Sequence, residues 1–178
     1  MSDATGVVVV MGVAGTGKST VGALLAAELG VRYAEADDFH PAANIAKMSA
    51  GVPLDDADRA PWLDAIGRWA REHRASGGVV SCSALKRAYR DRLRSAAPGL
   101  VFVHLTGERR LITERLDARR NHFMSSALLD SQFAVLEPLQ PDEAGLALDI
   151  APAPEAVTAR AASALRRAVQ GIEAGGTV

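Results

Sequence analysis

The sequence predicts a three-layer α/β/α fold built on a parallel sheet of about five strands. Three observations carry this expectation: short apolar runs bounded by turn residues, helix-length segments rich in Ala, Leu and Arg, and the alternation of the two along the chain. Strands that alternate with helices pair in parallel and are covered on both faces, which is why they read as continuous apolar runs.

The first run, Val7 to Met11, holds four valines and is predicted as a buried strand; Lys18 to Leu29 follows as a helix. Val31 to Glu35 is a weaker strand candidate, and Asp58 to Arg74 is the next helix, with Trp62, Ile66 and Trp69 as a core stripe at helical spacing. Gly78 to Val80 is a strand, then Leu85 to Ala96 a helix whose stripe is Leu85, Tyr89 and Leu93. Leu100 to Leu105 and Leu146 to Ile150 are the remaining strands, and Glu108 to Arg119 and Glu155 to Gln170 the remaining helices. No repeat is visible, and only the segment APAPEA and the tail 171–178 look loose, so residues 1–178 read as one domain.

At 178 residues and 18.6 kDa the chain has room for a single core. Its formal charge of -1 and pI near 6.4 give no basic field for nucleic acid or a membrane surface, which leaves small molecules as the expected partners. Cys82 is the only cysteine, which excludes an internal disulfide, fits a reducing compartment and reads as a small buried hydrophobe. The first cation is Lys18, and the apolar run before it is far shorter than the ~20 residues of a membrane span, so a cytoplasmic location is expected. Of 20 cations 17 are arginine, and the three lysines, Lys18, Lys47 and Lys86, are read as places that want a compact ammonium instead of a planar fork.

Chemistry enters with MGVAGTGKST, Met11 to Thr20, directly behind the valine run. Gly12, Gly17, Lys18 and Ser19 satisfy G-x-x-x-x-G-K-[ST], with a strand before and a helix after, which specifies a P-loop nucleoside triphosphate hydrolase fold. The glycines let successive backbone N–H groups point inward, the helix N-terminus adds positive potential, and Lys18 meets the outer phosphates. Gly12, Gly15, Thr16, Gly17, Lys18, Ser19 and Thr20 are therefore the expected ATP-phosphate residues, with Ser19 as the expected Mg²⁺ ligand.

Glu35, Asp37 and Asp38 cluster where the second strand ends, and ligands of open α/β sheets gather at the carboxyl ends of strands. Asp37 is assigned to orient an acceptor hydroxyl and take its proton, and Asp38 to a solvated turn or helix cap. The segment GGVVSCSAL ends in Ser81 and Ser83, with no carboxylate where a Walker B acid would sit. Magnesium then falls chiefly to Ser19, ATP oxygens and water, with Glu35 or Asp37 behind them. His40, beside Pro41, either contacts substrate or caps the next helix.

With the loop followed in order by EADDFHPAANIAKMSAGVPLDDADRAPWL, CSALKRAYRDRLR and RNHFMSSALLDSQFAVLE, the chain resembles the gluconokinases of the P-loop carbohydrate kinase group. The resemblance implies a shikimate-kinase-like fold, transfer of the ATP γ-phosphate to the 6-hydroxyl of D-gluconate, and a homodimer. It puts Asp37 on the family's substrate-side acid and Lys86 and Arg90 in its SALK-x-x-YRD block. Glu35 stands where the related D-x-D pattern has its first acid, one methylene longer.

Gluconate carries one carboxylate and a row of hydroxyls, so its site needs a cation and neutral hydrogen-bonding groups. Arg59 is either the carboxylate clamp or the partner of Asp55, Asp56 or Asp58. Ser83, Lys86 and Arg90 follow the third strand, and Lys86 and Arg90 share a helical face, so both are expected in the crevice, with Lys47 and His40 as further substrate-side candidates. Arg87, Arg92 and Arg94 read as a solvated basic face. Residues 115–132 read as a lid closing over ATP, with HFMSSALL as a short amphipathic piece, Arg115 and Arg119 meeting phosphates or adenine, and His122 and Gln132 either touching substrate or forming a polar lid surface.

Overall fold

The valine run becomes the central strand β1, Val7–Met11, with every residue buried. The computed structural model describes residues 6–118 and 126–174. β1 leads through the glycine-rich loop into α1, Lys18–Leu29, and the chain returns as β2, Arg32–Glu35, ending in a 3-10 turn over Ala36–Phe39. Helices α2, Ala42–Ser49, and α3, Asp56–Glu72, precede β3, Gly78–Ser81; α4, Arg87–Ala96, precedes β4, Val101–Thr106. Helices α5, Arg109–Asp117, and α6, Ser126–Val135, lead to β5, Gly145–Asp149, and α7, Pro154–Ala174.

The sheet order is β2-β3-β1-β4-β5 with every pairing parallel, as the alternation predicted. Period-2 alternation divides β1 between two cores. Val8 and Val10 join Leu25 of α1, Ile112 of α5 and Ala161 and Leu165 of α7 on one face; Val7, Val9 and Met11 join Trp62, Ile66, Leu93 and Phe102 on the other, beneath α3 and α4. Cys82 belongs to this second core, where burial pushes its thiol up to about 12, so it is a packing residue and no nucleophile at neutral pH.

This topology positions the site. The chain leaves β1 toward β2 on one side and crosses from β3 to β4 on the other, so the crevice at the carboxyl end of β1 is the switch point of the sheet. The loop that occupies it can only be made of glycine at its first position: Gly12 has φ +146°, and a Cβ there would lie 2.7 Å from the carbonyl oxygen of Leu105.

Two helices lie outside the bounded helices of the sequence expectation, α2 directly after His40 and α6 at the end of the segment 115–132 read as a lid. α2 buries only Asn44 and exposes Ile45 and Met48, while α6 packs Leu129 and Phe133 against the core and leaves Leu128 and Val135 exposed. The segment APAPEA also differs from its loose reading, because α7 begins at Pro154 within it and continues through the first residues of the expected tail to Ala174. Among the described residues no helix is long and apolar enough to cross a membrane.

Candidate active site

Three cavities adjoin at the carboxyl edge of the sheet. The first, of about 260 Å³, is lined by Gly15, Gly17, Lys18 and Ser19 of the loop, by Glu35 and Asp37 beyond β2, and by Ser83 and Gln132. The loop is braced from within: the buried Thr16 hydroxyl donates to the Val13 carbonyl at 2.8 Å, and Lys18 Nζ donates to the same oxygen at 3.1 Å. Gln132 Oε1 accepts the Ala14 N–H at 2.7 Å, which fastens α6 to the phosphate loop.

Asp37 sits in the 3-10 turn after β2, and that turn is held by its neighbours. The Trp62 indole donates to the Ala36 carbonyl at 2.7 Å, and His40 stacks on Trp62 with ring centroids 4.5 Å apart and planes 9° from parallel. Burial pushes the His40 imidazole below its usual range, so it is a neutral stacking partner near pH 7. Its Nδ1 lies 3.3 Å from Asn44 Nδ2, so the ring joins α2 to α3 and does not cap a helix; Pro41 occupies that position.

The second cavity, of about 250 Å³, carries the cations. Arg59, Trp62, Lys86 and Tyr89 line it on one side and Leu128 and Val135 of α6 on the other. Ser83 and Gln132 line both this cavity and the first, so the two meet at those residues. Lys86 Nζ reaches both oxygens of Asp56 at 3.0 and 3.1 Å, and the Tyr89 hydroxyl donates to the same carboxylate. That phenol and the Lys86 ammonium hold Asp56 below the usual carboxylate range. Arg59 donates to the Leu54 carbonyl and stands 5.9 Å from the Tyr89 ring centroid; among the described residues it forms no ion pair with Asp55, Asp56 or Asp58. Tyr89 packs against the second core, as its stripe predicted, and also walls the cavity.

A third cavity, of about 310 Å³, lies behind the loop between Thr20, Val21, Arg115, Ile150, Pro152 and Pro154. Arg115 Nη2 donates to the Ile150 carbonyl at 2.7 Å, which holds the guanidinium at the wall of this cavity. Arg119 and His122 lie outside the described residues.

Two expected substrate residues stand elsewhere. Arg90 is fully buried: its guanidinium donates to Glu143 at 2.7 and 3.0 Å and to the carbonyls of Ala84, Leu85 and Pro138. Lys86 is the extended N-cap of α4 and so does not share a helical face with Arg90, which turns beneath the helix to pair with Glu143. Lys47 Nζ is held by both oxygens of Asp58 at 2.7 Å and ties α2 to α3. The arginines read as a solvated basic face remain partly exposed and are also paired, Arg87 with Asp91 and Asp142, Arg92 with Asp64, and Arg94 with Asp91.

Comparison with known proteins agrees with this arrangement. A profile of the shikimate kinase family matches residues 14–137. A gluconokinase of Gluconobacter oxydans (strain 621H) is 50% identical over 137 residues, covering 76% of this chain and 77% of the relative. The thermosensitive gluconokinase of Escherichia coli (strain K12) is 44% identical over 137 residues, covering 76% and 73%. The crystal structure of a gluconokinase from Sinorhizobium meliloti 1021 superposes with a TM-score of 0.88 at 43% identity, covering 98% of this chain and 99% of that one. The chain belongs to the gluconokinase family.

Membership in the gluconokinase family makes ATP the co-substrate and raises the question of magnesium, which the chain's own oxygen atoms answer in favour of a fit. The Ser19 hydroxyl donates to Glu35 Oε2 at 2.7 Å, which commits its proton and leaves its lone pairs for a cation. Among the described residues no group of three or more His, Cys, Asp or Glu forms a cage. One hydroxyl with a carboxylate behind it suits an ion that keeps most of its water and binds phosphate oxygens. The same carboxylate oxygen accepts from Tyr33 at 2.7 Å, and burial pushes that phenol up to about 12, so it stays a neutral donor through the working range.

Proposed function

We propose that this member of the gluconokinase family transfers the γ-phosphoryl group of ATP to the 6-hydroxyl of D-gluconate, giving 6-phospho-D-gluconate and ADP. The observation that carries the reading is the junction of two cavities at Ser83 and Gln132, with Lys18 and Asp37 on one side and Arg59 and Lys86 on the other. A linear sugar acid has its anionic end and its terminal hydroxyl at opposite ends. In this reading the carboxylate meets Arg59 and Lys86, and the hydroxyl reaches the first cavity through the junction.

The loop N–H groups and Lys18 hold the phosphate chain, and the base occupies the third cavity beside Arg115. Magnesium, when bound at Ser19 with Glu35 behind it, neutralises charge on the phosphate oxygens. Asp37 orients the acceptor hydroxyl and takes its proton as the new O–P bond forms and the bond to the β,γ-bridging oxygen breaks, leaving ADP. Gln132, fastened to the Ala14 N–H, couples α6 to the loop, so the helix that walls the acceptor cavity also touches the phosphate site. The homodimer belongs to this proposal through the family resemblance, and light scattering checks it.

Arg59→Met and Lys86→Met test the acceptor end. Each removes a charged partner of the carboxylate, worth about 1.5 to 3 kcal/mol, so KM for gluconate is expected to rise by about 10- to 100-fold with KM for MgATP unchanged. Lys86→Met also leaves Asp56 without its ammonium, adding repulsion of an anionic acceptor, so its effect is expected to be the larger. An unaltered gluconate KM in both variants would move the carboxylate elsewhere.

A further inference from the structure

The end of β3 carries Ser81 and not an acid, and its surroundings show what the chain uses in that place. Ser81 Oγ donates to the Lys18 carbonyl at 2.8 Å and lies 2.9 Å from the Tyr33 hydroxyl. Tyr33 in turn donates to Glu35 Oε2, the oxygen that accepts the Ser19 hydroxyl. Glu35 Oε2 therefore gathers the hydroxyl protons of Tyr33 and Ser19, while Ser81 Oγ, its own proton on the Lys18 carbonyl, packs beside the Tyr33 oxygen.

The set is packed as well as bonded. A Cβ on Gly22 of α1 would lie 2.4 Å from Ser81 Oγ and 2.8 Å from Tyr33 Cε2, so α1 approaches β2 and β3 closely only because residue 22 has no side chain. The Tyr33 hydroxyl lies 2.7 Å from Glu35 Oε2 against 2.9 Å from Ser81 Oγ, which places its single proton on Glu35. Without that donor, Glu35 Oε2 keeps only the Ser19 bond and is free to rotate.

We propose that Tyr33 is a positioning residue for the magnesium end of the site: it fixes Glu35, and through Glu35 the Ser19 hydroxyl, while Ser81, bonded to the Lys18 carbonyl in the first turn of α1, packs against the phenol. The inference rests on the functional reading above and adds to it a hydroxyl pair serving where an acid at the end of β3 is missing. Tyr33 touches neither nucleotide nor acceptor in this account, so its effect is confined to the metal-dependent part of nucleotide binding.

The test uses the full chain and titration calorimetry of AMP-PNP, a non-hydrolysable ATP analogue, at a series of MgCl₂ concentrations. For Tyr33→Phe the Mg²⁺ concentration that half-maximally tightens binding is expected to rise by about tenfold, as for loss of an outer partner of a metal ligand. AMP-PNP affinity without metal and KM for gluconate are expected to stay unchanged. Ser81→Ala is expected to shift the Mg²⁺ requirement in the same direction by less. An unchanged requirement in Tyr33→Phe, beside a parent that shows one, overturns the proposal. So does an equal loss of affinity with and without metal, which would mark general damage to the loop. A parent that phosphorylates gluconate but shows no Mg²⁺-dependent tightening also overturns it while leaving the acceptor reading intact.

Discussion

An Asp37→Asn protein is expected to bind MgATP as the parent does and to turn over gluconate about 10² to 10⁴ times more slowly, the range for loss of a general base. The substitution keeps size and hydrogen-bonding capacity and removes only the ability to take a proton. The turn that carries residue 37 is held independently of its side chain, by the Trp62 indole on the Ala36 carbonyl and by His40 stacked on Trp62. The geometry of the first cavity should therefore survive, and the loss should appear in kcat with little change in KM for either substrate. Single-turnover phosphate transfer with nucleotide binding measured in parallel checks this. Turnover within a small factor of the parent would remove Asp37 from the proton transfer.

The second large effect concerns stability. Arg90→Met is expected to cost about 3 to 5 kcal/mol, because Glu143 is left charged and buried without its partner. For a chain of this length each kcal/mol lowers Tm by roughly 2 to 4 °C, so thermal melts should show a drop on the order of ten degrees. The guanidinium serves Glu143 and three carbonyls at once, which a lysine ammonium cannot match in geometry, so Arg90→Lys should recover only part of the loss. Arg90→Met combined with Glu143→Leu should be less destabilised than Arg90→Met alone, since no lone charge remains. A normal Tm with a raised gluconate KM would instead return Arg90 to the substrate list.

The same pair sets a pH dependence. Burial pushes the Glu143 carboxyl up, but the Arg90 hydrogen bonds and the Gln140 N–H outweigh it, so the group lies below its ordinary value of 4.5. A depressed folded-state value means that the stabilisation is complete above the unfolded value and is lost as pH falls through the folded one. Acid unfolding should accordingly begin at higher pH in Arg90→Met, where that protection is gone.

How far the sequence reached follows from what each residue depends on. β1 and α1 were legible to their end residues, because a buried valine run and flanking glycines are local signals: Gly17 and Gly30 bracket α1 in left-handed conformations. The phosphate loop was legible for the same reason. α2 and α6 were not bounded, since α2 exposes its apolar residues Ile45 and Met48 and α6 carries apolar residues on its core side, Leu129 and Phe133, and on its exposed side, Leu128 and Val135. Lys86 and Arg90 share a face in sequence terms, yet one lines the second cavity and the other pairs with Glu143, a choice fixed by a residue more than forty positions away. Tyr89 fitted a core stripe by spacing, and only the fold turns its hydroxyl to Asp56. Its place among the charged residues of RAYRDRLR was the available hint.

The central claim is tested most directly by incubating the purified protein with MgATP and measuring ADP release and phosphorylated product with D-gluconate, shikimate, glucose, other sugar acids, AMP or no acceptor. The account predicts strong stimulation by D-gluconate, with 6-phospho-D-gluconate as product and little turnover on shikimate or AMP. ATP binding without gluconate-stimulated transfer, or faster transfer to another acceptor, would contradict it.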